Sequence, residues 1–405
     1  MRRFVDLSAL LSIALVCTLL CISCGDKPKA IDISWQTDEI TRLVVDYDLS
    51  GEPDTSCSIG LCLSLDNGKT CPIEPRAVQG DVGDGVTPGP GKRIIWDVFK
   101  DELNLNSDEM VLEISVYRPG SDKRISRATS EPQALHIELM PKALIQAGGF
   151  NMGSPADEPH READEGLHRV EITRPFLMGA TEVTQQQWNM VMGSGPSYFT
   201  SCGFDCPVEQ VSWFDAVRFC NKLSEMEGLT SCYTLEQKQV AWDRDCNGYY
   251  LPTEAQWEYA ARAGSETAFP NGAITQAVCG PEPGLEQIGW YCRNSRVHYQ
   301  GCYDATGYDG PECAGVHPVG QKQPNAWGLY DMNGNVMEWV WDCYAKDYGA
   351  GPADDPTGPD CGDHRVVRGG SWIGYARTCR SADRQDFMPD FRSSDLGFRV
   401  ARSLN

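Results

Sequence analysis

Cys379 stands among Arg377, Arg380 and Arg384 in the stretch Arg368–Arg399, which carries six arginines and one cysteine. Cationic neighbours lower a thiol's pKa and so raise its reactivity. The stretch opens Arg368-Gly369-Gly370-Ser371-Trp372, and paired glycines let the backbone approach a second group closely. Three roles remain open to the thiol: chemistry, a disulfide, or packing. Upstream, Asp331 and Glu338 flank Asn333-Gly334-Asn335, where turn residues expose backbone carbonyls. Oxygen donors close in sequence suit calcium, although this spacing falls short of an EF-hand.

Beyond Cys24 the chain holds fifteen cysteines, too many for a reducing compartment unless they bind metal. Zinc is the competing reading. After Cys24 there is no C-x2-C pair and histidine is scarce, so the spacings disfavour it. The close pairs Cys202/Cys206, Cys232/Cys246, Cys279/Cys292 and Cys302/Cys313 bracket turn-rich loops and read as local disulfides. An odd total leaves at least one thiol over. Cys220 falls on a helical pattern and is a candidate for a buried thiol.

The elements that must position these residues fall into two domains, as expected for 405 residues. Arg2 and Arg3, the apolar run Leu7–Ile22 and Ser23-Cys24-Gly25 read as an export signal over 1–23. The pattern resembles a bacterial lipoprotein signal, with Cys24 as the lipidated first residue and 24–30 as its tether. Residues 31–118 alternate apolar and polar in short runs and predict a small all-β sandwich of immunoglobulin-like type. The turn Asp66-Asn67-Gly68 is a strong hairpin signal, Gly80–Gly91 reads as a loop, and 119–141 reads as a polar linker. The net charge of −22 disfavours nucleic acid and anionic membrane surfaces as partners.

From 142 to 405 the texture is irregular α+β. Thr184 caps a helix through Met192, while Ser212-Trp-Phe-Asp215 and Thr253-Glu-Ala-Gln256 are capping-box starts. Tyr250-Leu-Pro-Thr-Glu-Ala-Gln-Trp-Glu-Tyr-Ala-Ala-Arg-Ala-Gly264, Asn325-Ala-Trp-Gly-Leu-Tyr-Asp-Met-Asn-Gly-Asn-Val-Met-Glu-Trp339, Arg368–Trp372 and Leu396-Gly-Phe-Arg399 occur in that order. Together with Phe150-Asn-Met-Gly153 they resemble the formylglycine-generating enzyme (sulfatase-modifying factor) family. The resemblance implies a C-type-lectin-like fold with little regular secondary structure.

The resemblance also implies site residues. A structural calcium is expected on the Asp331 and Glu338 side chains with the Gly334 and Val336 carbonyls. A second is expected on Asn294, the Ser295 carbonyl and Asp309, in a region disturbed by the Cys302–Cys313 insertion. Family oxidases bind copper through two thiolates five residues apart, and paired thiolates suit Cu(I). Here the second position is Cys379 and the first is Gly374, which offers no ligand. Ser371 matches the family's active-site serine, and Met337 stands where tryptophan is expected. Copper and formylglycine-generating activity on an exported protein cysteine are therefore not expected. The expectation is a lipid-anchored protein of the bacterial cell envelope that binds a protein, peptide or glycan. The alternatives are an oxidase and a structural subunit of a secretion or motility apparatus. The arginines are expected to pair internally with carboxylates.

Overall fold

Alternating apolar residues build two packed sheets in the first part of the chain. The structure is a computed structural model that describes residues 17–22, 28–38, 42–51, 56–64, 69–98, 106–117, 124–130, 133–136, 139–348, 351–360 and 362–404. Cys24, the other residues from 23 to 27, and the Asp66-Asn67-Gly68 turn lie outside the described residues. The chain divides into two units, Met1–Leu139 and Met140–Asn405.

In the first unit one sheet runs Cys17–Ile22, Pro28–Asp38, Arg42–Leu49, Gly89–Asp97, Val78–Gly80. The other runs Gln133–His136, Asn106–Tyr117, Cys57–Ser64, Gly83–Val86, with Arg124–Thr129 also paired to Asn106–Tyr117. Ile33, Leu43, Trp96, Leu61, Leu112 and Ile114 close one apolar core between them. Cys17–Ile22, part of the segment read as the signal, is an edge strand, so its loss leaves the other four strands of that sheet paired to each other.

Two expectations for this unit are corrected. Residues 119–141 are not an irregular linker, because Arg124–Thr129 and Gln133–His136 are strands of the second sheet. The segment reads as polar because Arg124 and Arg127 reach across to the buried Glu113 carboxylate, at 2.9 and 3.4 Å. Gly80–Gly91 is not a simple loop either; it includes the short strand Gly83–Val86.

The second unit is mixed α+β with long loops, as its sequence motifs imply. Helices α1 (Gln185–Met192), α2 (Trp213–Met226) and α3 (Glu254–Arg262) each start with a complete capping box, on Thr184, Ser212 and Thr253. A fourth helix, α4 (Pro283–Ile288), is one and a half turns long and too short to show periodicity in sequence. The central strand Met337–Cys343 pairs antiparallel with Arg365–Arg368 and parallel with Leu396–Phe398. In that register Glu338 lies opposite Arg368 on one side and Gly397 on the other. The sheet thus gathers the Asp331–Glu338 turn and both ends of the Arg368–Arg399 stretch. Trp213, Trp257, Trp339 and Trp372 are fully buried around it, and three of their indole N–H groups reach backbone carbonyls of Val340, Val211 and Ser394. Among the described residues no helix is long and apolar enough to cross a membrane.

Candidate functional site

Gly369 and Gly370 have φ of +95° and +67°, the left-handed region that side chains other than glycine rarely take. A Cβ on Gly370 would lie 2.7 Å from the Cys379 sulfur, so this glycine lets the backbone pass over that thiol, while one on Gly369 would lie 3.2 Å from the Trp257 ring. Ser371 is buried and donates its hydroxyl hydrogen bond to Asp395 Oδ2 at 2.9 Å. Asn333 pins the Cys379 carbonyl at 2.8 Å.

Cys379 is a free thiol with no exposed surface. Of the three roles left open to Cys379, the disulfide is thereby excluded. The activating effect of the arginines fails. Burial, and then the neighbouring Asp383 carboxylate, push the thiol up to about 12. The other cysteine pairs close as expected, at 202–206, 232–246, 279–292 and 302–313, together with 62–71. Cys57, Cys220 and Cys379 are buried reduced thiols. All three are expected to resist a thiol-specific reagent in the native protein and to react once it is denatured. Labelling of native Cys379 within minutes, read by mass spectrometry, is the result this assignment excludes.

Gly374, where the first copper thiolate belongs by resemblance, is enclosed by backbone. Its carbonyl accepts the Cys292 N–H at 3.1 Å, and a Cβ there would lie 2.8 Å from the Thr378 hydroxyl. That hydroxyl borders the space that the missing thiolate would need. The donor set here is one buried, protonated thiol and a serine already paired with Asp395, which does not fit a two-thiolate copper centre.

The arginines are spent on internal carboxylates. Arg380 grips Glu165 with two bonds of 2.7 and 2.6 Å and reaches Glu158 at 2.9 Å. Arg384 grips Glu254 at 2.6 and 2.9 Å. Arg368 meets Glu258 at 2.5 Å and three backbone carbonyls of 381–383. Arg392 pairs with Asp215. Arg377, lying over the Tyr375 ring, and Arg392 stay exposed, while Arg368, Arg380, Arg384 and Arg399 are buried. The stretch is therefore a buried ionic lattice rather than a basic cleft.

The predicted calcium residues are brought together in part. Asp331 and Glu338 are both buried. Glu338 is held by Arg399 at 2.6 and 2.7 Å and by the Trp257 indole N–H at 2.7 Å. Gly334 sits at φ +115°, and a side chain there would collide with the Trp290 carbonyl; Val336 packs in the core beside Trp372. The residue that sequence reasoning missed is Glu182. It is fully buried and, among the described residues, neither carboxylate oxygen has a hydrogen-bond partner; Asp331 Oδ1 likewise has none there. Burial and the nearby Asp331 carboxylate push the Glu182 carboxyl well above its usual range, while Asp331 itself is raised, mainly by burial, to about 6. Orphaned hard oxygens beside one another fit a hard cation such as calcium. No signal in the sequence around Glu182 separated it from other acids in a chain of this charge.

The second set is not gathered in the same way. Asn294 spends its side-chain oxygen on the Tyr291 N–H at 2.9 Å, and the Ser295 carbonyl takes the Gly315 N–H at 3.2 Å. Asp309 is exposed and faces the Tyr375 hydroxyl at 3.5 Å.

Comparison with known proteins places this geometry. The family described as sulfatase-modifying factor enzyme 1-like domain matches residues 127–404. A chaperone protein LppX of Paenibacillus barcinonensis is 32% identical over 249 residues, covering 56% of this chain and 80% of the relative. A formylglycine-generating enzyme of Thermomonospora curvata is 30% identical over 293 residues, covering 64% of this chain and 91% of that protein. Among solved structures, Treponema denticola variable protein 1 is 33% identical with a TM-score of 0.55, covering 65% of this chain and 95% of that one.

Proposed function

The chain belongs to the sulfatase-modifying factor enzyme 1-like family, and on that premise we propose that it is a non-catalytic member that binds a protein, peptide or glycan. The observation that carries this reading is Gly374 beside a fully buried Cys379. A copper oxidase needs two accessible thiolates, and this site offers one thiol that stays protonated at neutral pH. Similarity to a protein named as a chaperone supports a protein or peptide partner.

The disulfides fit an oxidising, extracytoplasmic location. Anchoring through a lipid on Cys24 and residence in the bacterial cell envelope are parts of the proposal. Calcium is its structural ion, held by Asp331 and Glu182 with the Gly334 and Val336 carbonyls, while Glu338 serves as the counter-ion of Arg399. Its chemistry there is charge neutralisation of buried carboxylates.

The oxidase alternative keeps one supporting observation, the retained Ser371 next to a free Cys379. The two readings separate in one experiment. Titration with Cu(I) against a chromogenic chelator is expected to show no competition, and a cysteine-containing sulfatase peptide is expected to cause no O₂ uptake. Tight Cu(I) binding that disappears in Cys379→Ser, together with O₂ uptake, would establish the oxidase instead.

A further inference from the structure

A cavity of about 360 Å³ opens in the second unit away from Ser371 and Cys379, and no residue of Arg368–Arg399 lines it. Its size falls at the low end of small-ligand sites, ~300–1,000 Å³, enough for about two sugar rings. One wall is aromatic. Trp242 and Tyr250 lie 5.0 Å apart between ring centroids, and Trp242 packs onward against Trp341 at 5.1 Å. The hairpin Tyr233–Glu236/Gln239–Trp242 that carries Trp242 is anchored by the Cys232–Cys246 disulfide. That cross-link holds the wall in place before any ligand arrives, which lowers the ordering cost of binding.

The mouth carries two cations and two anions. Arg244 lies over the Trp242 ring at 5.8 Å and donates to the Asp355 carbonyl at 3.2 Å. Arg174 faces Asp245 at 3.8 Å, with both side chains largely exposed. The Asp355 carboxylate accepts from the Thr173 backbone N–H at 2.9 Å and from its hydroxyl. Locally the charges cancel, in a chain whose net charge is −22. An ionic ligand would gain nothing net at such a mouth, whereas a neutral molecule rich in hydroxyls finds both donors and acceptors. The buried indole N–H of Trp242 has no acceptor among the described residues, a cost that an acceptor entering the cavity would relieve.

We propose that this cavity is a saccharide-binding subsite that takes a neutral one- or two-ring sugar against Trp242 and Tyr250, with its hydroxyls met by Arg174, Arg244 and the aspartates. The proposal deepens the binding reading above by naming a ligand class and a place.

The test uses the full chain and four probes: N,N′-diacetylchitobiose, cellobiose, maltose and the acidic control digalacturonate, followed by tryptophan fluorescence and calorimetry. At least one neutral disaccharide is expected to bind saturably, with a Kd near the millimolar range. Trp242→Ala is expected to weaken it roughly tenfold, the loss of one aromatic contact. Trp242→Phe retains a ring and is expected to bind at intermediate strength. Arg174→Ala, at an exposed position that leaves folding intact, is expected to weaken binding severalfold. The proposal is overturned by three results: no saturable binding of any neutral probe at about 10 mM, equal binding of digalacturonate, or binding indifferent to both Arg174→Ala and Trp242→Phe. Its failure leaves the Cu(I) and O₂ result untouched, and an active oxidase would leave sugar binding at this cavity to be read separately.

Discussion

Arg380→Met is expected to destabilise the second unit by about 3–5 kcal/mol, the cost of removing one partner from a buried ion pair. For a domain of this size that is a fall in melting temperature of roughly 10 °C. The reason is geometric. Arg380 and Glu165 are both without exposed surface and share two short bonds across 215 residues of sequence. The pair ties the segment that carries Glu158 and Glu165 to the C-terminal stretch, and Asp383 at 3.4 Å leans on the same guanidinium. Without Arg380 the buried Glu165 carboxylate loses its cation and is left beside the buried Asp383 carboxyl, which burial holds up to about 8.

The pH dependence checks the assignment. Arg380 holds the Glu165 carboxyl below its usual range against the opposing effect of burial. A lowered folded-state pKa contributes stability that is present above the unfolded value of roughly 4.3 and is lost as pH falls through the folded value. The gap between wild type and Arg380→Met is therefore expected to be widest near neutrality and to narrow on acidification. Adding Glu165→Leu to Arg380→Met is expected to recover part of the loss, since a buried pair replaced on both sides leaves no stranded charge. Equal melting of wild type and Arg380→Met at pH 7 would show that the pair is not a structural tie.

The contrast between Arg380 and Cys379 marks where the sequence was legible. Capping boxes at Ser212 and Thr253 are local signals, and both open the helices they predict. Cysteine pairs that bracket short loops are also local, and they close as read. The ionic lattice was legible only as a likelihood of charge balance, because Arg380 meets Glu165 and Arg384 meets Glu254 over separations of 215 and 130 residues. The local reading of Cys379 failed for the same reason. Arginines adjacent in sequence point at distant acids, whereas the carboxylate that affects the thiol is Asp383. The strand Arg124–Thr129 escaped notice because its arginines pair with Glu113, and Gln133–His136 because it is only four residues long. Glu182 escaped because burial, and not residue type, sets it apart from the other acids.

Calcium added to chelator-treated protein is expected to raise the melting temperature of the second unit, and Glu182→Gln is expected to remove most of that gain. At a calcium concentration about 100 times its Kd the stabilisation is about 2.7 kcal/mol, or roughly 5–10 °C here. The argument rests on charge accounting among buried groups. Glu182, Asp331 and Glu338 are all buried, and Arg399 is the cation that reaches Glu338 with two bonds. Among the described residues one guanidinium leaves the oxygens of Glu182 and one oxygen of Asp331 without partners, and buried carboxylates in that state are costly. A divalent ion ligated by oxygens removes the deficit.

The sign of the mutant effect separates this from a surface salt effect. Without calcium, Glu182→Gln is expected to melt no lower than wild type, because it replaces a repelled carboxyl by a neutral amide. With calcium it is expected to melt lower, because it has lost a ligand. Asn294→Ala, whose side chain caps Tyr291 rather than facing this cluster, is expected to keep the full calcium increment. A calcium shift of the same size in wild type and Glu182→Gln would move the ion elsewhere. The absence of any shift in wild type would mean that the two orphaned carboxyls are carried protonated.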